Sequence, residues 1–80
     1  MALEDAHSTR MVEREISRRP IDGTLLSVHV SNGVCYIRGQ LRHQRARPEV
    51  DLQHEVATLQ KTIRSRDGIR AVIWEAEVRQ

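Results

Sequence analysis

Residues 28–39, Val-His-Val-Ser-Asn-Gly-Val-Cys-Tyr-Ile-Arg-Gly, contain two alternating β-type runs that meet at Asn32-Gly33. Both residues tolerate the positive φ required at the centre of a type I′ turn, and this dipeptide between alternating apolar runs is the strongest short-range hairpin signal. With the turn there, Ser31 faces Val34, Val30 faces Cys35, Val28 faces Ile37 and Leu26 faces Gly39. One face is then apolar throughout, and the other carries His29, Tyr36 and Arg38. A slip of one residue would exchange the two faces, so turn chemistry and hydrophobic pattern specify the same register.

Upstream of the hairpin, Ala6, Thr9, Val12 and Ile16 recur at three or four residues and predict a helix over 5–19. Pro20 disfavours helical geometry at Arg19, and Asp22-Gly23 supplies a turn, so the hairpin strands are expected at 24–30 and 34–41. Residues 42–47 lack periodicity and read as a loop. A second helix is predicted over 48–66. Pro48 suits its first turn, Glu49 and Asp51 complement its dipole, and Leu52, Val56, Leu59 and Ile63 form its apolar stripe. Gly68 stops it. A third strand is predicted over 69–78, with Val72, Trp74, Ala76 and Val78 on one side and Ile73, Glu75 and Glu77 on the other. That periodicity favours Trp74 inside and Ile73 outside.

The expected architecture is a single α+β domain over 1–80 in α-β-β-α-β order. Its sheet would be three-stranded and mixed, because a right-handed crossover through the second helix makes the third strand parallel to the second. Both helices would cover one face of the sheet, leaving the face with His29, Tyr36 and Ile73 open to solvent or a partner.

Composition narrows the function. Tyr36 and Trp74 are the only aromatic rings in 80 residues, which excludes a platform of stacking aromatics. Lys and Arg number 13 against 11 for Asp and Glu, so the distribution of charge matters more than its sum. Cys35 is alone, which excludes an internal disulfide, and its place on the apolar hairpin face marks it as a core residue rather than a reactive thiol. The amino terminus lacks a basic and an apolar region, and no run approaches the roughly 20 residues of a membrane span. The chain as it stands is expected in the cytoplasm, or in the periplasm or envelope if an upstream export signal has been removed. His7, His29, His43 and His54 are scattered without a His-x-x-x-His pair, so neither a metal nor a cofactor is expected. Asp51, His54 and Glu55 share part of a helix with no nucleophile beside them, and no catalysis is expected.

The element order, with Val28-x-Val30-x-Asn32-Gly33-Val34-Cys35-x-Ile37-x-Gly39 and Gly68-Ile69-x-x-Val72, resembles the BON domain family. The likeness covers nearly the whole chain to Val78. It implies a non-enzymatic module of bacterial envelope and osmotic-stress proteins, some of which contact anionic phospholipids. This chain departs from the family in lacking the usual export signal, in Trp74 where Asn is frequent, and in a longer stretch from Gly39 to Gly68.

The densest positive segment is Arg38, Arg42, His43, Arg45 and Arg47, with no acid between Gln40 and Pro48. Guanidinium forks suit oxyanions, so Arg38, Arg42, Arg45 and Arg47 are the first candidates for contact with an anion or phospholipid. The competing reading is a solvated loop whose arginines pair with nearby acids. Lys61, Arg64, Arg66 and Arg70 form a secondary basic group, which ordinary helix C-terminal capping also explains. His29, Tyr36 and Ile73 mark a possible interaction face. The expected function is a non-catalytic binding or adaptor module for anionic phospholipid or an envelope protein. The alternatives are a homo-oligomerising scaffold or, less favoured, a nucleic-acid binder using the same arginines.

Overall fold

A computed structural model describes residues 3–79. The elements are α1 (Leu3–Ser17), β1 (Leu26–Ser31), β2 (Val34–Arg42), α2 (Leu52–Arg64), β3 (Ala71–Trp74) and β4 (Glu77–Arg79). The hairpin has the register its sequence predicts, with Val28 opposite Ile37 and Leu26 opposite Gly39. Asn32 and Gly33 take φ of 53° and 78°, the double positive φ of a type I′ turn.

β2 is the central strand, with β1 antiparallel on one side and β3 and β4 both parallel on the other. The expected third strand over 69–78 is therefore two strands, and the mixed sheet has four rather than three. Both pieces keep one register, Ile37 opposite Trp74 and Gln40 opposite Glu77. The interruption lies across from Arg38-Gly39, where Gly39 at φ 106° leaves extended geometry and breaks the ladder. Side-chain alternation survives the break. Val72, Trp74, Ala76 and Val78 all pack against the core, while Ile73 is exposed.

Local hydrogen bonds move the other boundaries. The first helix covers 3–17 rather than 5–19. Its end tightens through Arg18 N–H to Glu15 O and Arg19 N–H to Ile16 O, just before Pro20. β1 starts at Leu26 instead of residue 24, because the Asp22 carboxylate accepts from both the amide and the hydroxyl of Thr24 and holds a turn there. The second helix covers 52–64 rather than 48–66. Val50 N–H bonds back to Arg47 O across Pro48, so that segment is a turn. Asp51 in extended geometry then caps the helix by accepting from His54 N–H. At the far end Ser65 is the C-cap, and Arg66 falls outside the helix.

The core joins Val12 and Ile16 of α1, Val30, Cys35, Ile37 and Leu41 of the hairpin, and Leu52, Val56, Leu59 and Ile63 of α2. α1 lies against β1, α2 against β3, and the helices touch each other on the same face of the sheet. Two buried carboxylates close the boundary of this core. Glu55 on α2 takes a bidentate pair from Arg19, at 2.7 and 3.0 Å, which ties the α1–β1 linker to α2. Glu15 on α1 accepts from Arg66 at 2.6 Å and Arg18 at 3.3 Å, which ties α1 to the segment after α2.

A Cβ on Gly39 would overlap the backbone carbonyl of Leu25, whereas one on Gly68, also at positive φ, would meet only Ser8 Oγ at 3.5 Å. Gly39→Ala is expected to cost about 2–4 kcal/mol and Gly68→Ala about 1 kcal/mol in urea unfolding. The reverse order would contradict the close approach at Gly39. Hydrogen bonds from Arg19 hold the Glu55 carboxyl below the usual carboxylate range, outweighing the upward push of burial. A depressed folded pKa adds stability that is complete above the unfolded value of about 4.3 and lost as pH falls through the folded value. Glu55→Gln is therefore expected to lose roughly 1–3 kcal/mol near neutral pH, with the gap from the parent narrowing below that carboxylate range. Urea midpoints measured across pH check this.

Candidate binding surface on the open face of the sheet

The positive segment after Gly39 does not form one free cationic patch. Arg38 Nε pairs with Glu75 at 2.9 Å, Arg42 Nη2 with Asp22 at 3.1 Å, and Arg47 Nε with Glu49 at 2.9 Å. Arg45 is the one member of the four without an ion pair among the described residues. The Asp22 carboxyl is held low first by the hydroxyl and amide of Thr24 and then by Arg42. Arg47 lowers that of Glu49. His43 Nε2 lies 2.8 Å from Val50 O and braces the loop on itself.

The secondary basic group is also dispersed. Arg66 is committed to Glu15, and Arg70 Nε donates to Asn32 O at 3.0 Å beside the hairpin turn. Lys61 and Arg64 remain exposed on the last turn of α2.

Cross-strand register gathers a different set. His29 on β1 lies opposite Tyr36 on β2, which lies opposite Ile73 on β3. The His29 and Tyr36 rings stack with centroids 6.3 Å apart and planes 27° apart. In the next row Ser27 faces Arg38, which reaches across to Glu75. Ser27, His29, Tyr36 and Arg38 together line a hollow of about 220 Å³. Leu25, just before β1, and Ile73 are the exposed large hydrophobic residues among those described, at 49% and 41%. Strand alternation places Ile73 with the outward-facing set, opposite Tyr36.

The hollow thus unites Arg38, chosen for its charge, with His29 and Tyr36, chosen for their face. It adds Ser27, which sequence reasoning passes over although the hairpin register already sets it against Arg38. A hydroxyl, a phenol, an imidazole and one guanidinium supply hydrogen-bond donors for an oxyanion, with Glu75 offsetting part of the guanidinium charge.

No group of three His, Cys, Asp or Glu side chains arranged to hold a metal occurs among the described residues. No helix among them is long and apolar enough to cross a membrane. No family model, curated protein or solved structure matches this chain.

On the opposite face of β2, Cys35 is fully buried, and burial pushes its thiol up to about 11. Labelling by a thiol reagent near pH 8 is expected to proceed only as fast as the protein opens, and at once in concentrated guanidinium chloride. Fast labelling of the folded protein would contradict the core position.

Proposed function

We propose that this chain is a non-catalytic binding module, BON-like in kind, that docks through the open face of its sheet onto an anionic surface, with phospholipid head groups as the leading class. The observation that carries this reading is an uncovered sheet face on which exposed Ile73 lies opposite Tyr36 of a donor-lined hollow. An apolar side chain beside a cluster of donors suits a surface that presents phosphate above hydrocarbon. The α-β-β-α order with its Asn32-Gly33 hairpin, followed by β3 and β4 in one register along β2, supports the family likeness. Within this reading Arg38 is the principal cation, and Arg42 and Arg47 serve the fold first. Neither helix has the broad aromatic or leucine-rich face of an interfacial anchor, so attraction is mainly electrostatic and screened by salt.

A second reading, a homo-oligomerising scaffold, is favoured by the mixed charge of the same face. Glu75 and Glu77 share it with Arg42 and Arg79, as a self-complementary isologous contact requires. Co-sedimentation with phosphatidylglycerol vesicles against phosphatidylcholine vesicles separates the two. Binding to the anionic vesicles is expected at low salt, with a loss of about fivefold for Arg38→Gln and further weakening at physiological salt. Equal binding to both lipids would defeat the reading. Absence of vesicle binding with a dimer by light scattering would favour the scaffold, and a salt-sensitive gel shift with generic DNA or RNA would favour nucleic acid.

A further inference from the structure

A concavity larger than the open-face hollow lies between the second half of α1 and the outer edge of β1. A hollow of about 490 Å³ bounded by Ile21, Gln44 and Arg45 runs into a smaller one of about 100 Å³ at Leu26 and Val28. The two share Glu13, Ile16 and Gly23, and so form one trough.

The wall formed by β1 is an exposed strand edge. Leu26 N–H turns away from β2 to Gly23 O, and Val30 N–H turns away from it to Thr9 Oγ1. Leu25 O, one position out of phase, accepts from Gln40 N–H on β2. By this alternation the N–H and C=O of Val28 also point away from β2, into the trough. An extended backbone is the complement of such an edge, with alternate side chains free to enter the apolar lining of Ile16, Leu26 and Val28.

Opposite charges line the trough. Arg45 is the loop arginine without a carboxylate partner, and it lines the trough beside Gln44. Glu13, in the stretch shared by both hollows, has no ion pair among the described residues. Asp22 on the rim already serves Thr24 and Arg42, so it opposes an incoming anion little.

We propose that the trough binds the C-terminal end of an extended peptide. Its terminal carboxylate lies on Arg45, its apolar residues pack along Leu26 and Val28 with a backbone bond to Val28, and a basic residue upstream meets Glu13. A fatty acid would satisfy Arg45 and the apolar wall but would leave Glu13 and the edge amide unanswered. This site stands independently of the surface on the open face.

The test uses fluorescein-labelled Lys-Ala-Val-Ile-Val, with a free carboxylate or as the C-terminal amide, followed by fluorescence anisotropy. Amidation is expected to weaken binding about tenfold, and Arg45→Gln to weaken the acid by the same factor while leaving the amide unchanged. Glu13→Gln should weaken this peptide but not its Lys→Ala counterpart. Addition of the acid should shift the Val28 amide resonance and slow its hydrogen exchange. Both substituted residues are charged groups without ion pairs, and unchanged circular dichroism verifies the fold of each variant. Equal affinity for acid and amide, insensitivity to Arg45→Gln, or no binding up to about 1 mM peptide would overturn the proposal. Arg45-dependent binding of decanoate without binding of the peptide would overturn the occupant.

Discussion

The placement of β2 is the constraint on which the structure depends. The turn at Asn32-Gly33 holds β2 against β1 in one register, and that register decides which side chains of β2 meet the helices. Cys35, Ile37 and Leu41 then point into the core, where α1 and α2 close over them. Among the described residues β3 and β4 have no strand partner except β2, so the orientation of the C-terminal segment follows from it. A slip at the turn would bury His29, Tyr36 and Arg38 and expose the aliphatic set, a change no small core withstands.

Arginine in this chain is largely structural. Arg19 and Arg66 hold carboxylates that lie at the core boundary, and each joins segments far apart in sequence. Arg38, Arg42 and Arg47 pair on the surface, where such contacts add little stability but remove most of the free positive charge. A run of arginines in sequence is therefore a poor guide to a cationic patch. Among the described residues the member of that run left without an ion pair is Arg45, which lines the trough beside α1.

The sheet edges are handled unequally. Along β1, Thr9 and Gly23 occupy the outward groups at either end and leave Val28 between them. On the opposite edge the Trp74 indole donates to Ala76 O at 2.9 Å, beside the break between β3 and β4. Glu75 N–H bonds to Ile37 O on β2, so by alternation Ala76 O faces outward, and the indole caps an otherwise pairable carbonyl. Trp74 thus packs its ring against the core and shields the edge with its polar atom.

Local chemistry written in the sequence determined the hairpin, its register, the order of elements, the helical stripes and the inward sense of Trp74. Each depends on periodicity or on one dipeptide, and neither needs distant partners to be read. The sequence pattern places the start of α2 at Pro48, and the structure moves it to Leu52 because Pro48 lies in a turn and Asp51 is the cap. The split of the last strand was hidden, since it follows from the backbone of Gly39, which the following loop, α2 and β3 separate from it in sequence. The grouping of Ser27, His29, Tyr36 and Arg38 is implicit in the register, but the fate of each arginine is not. Which guanidinium meets a carboxylate depends on long-range approach: Arg38 to Glu75, Arg42 to Asp22 and Arg66 to Glu15 become neighbours only once the sheet and helices have packed.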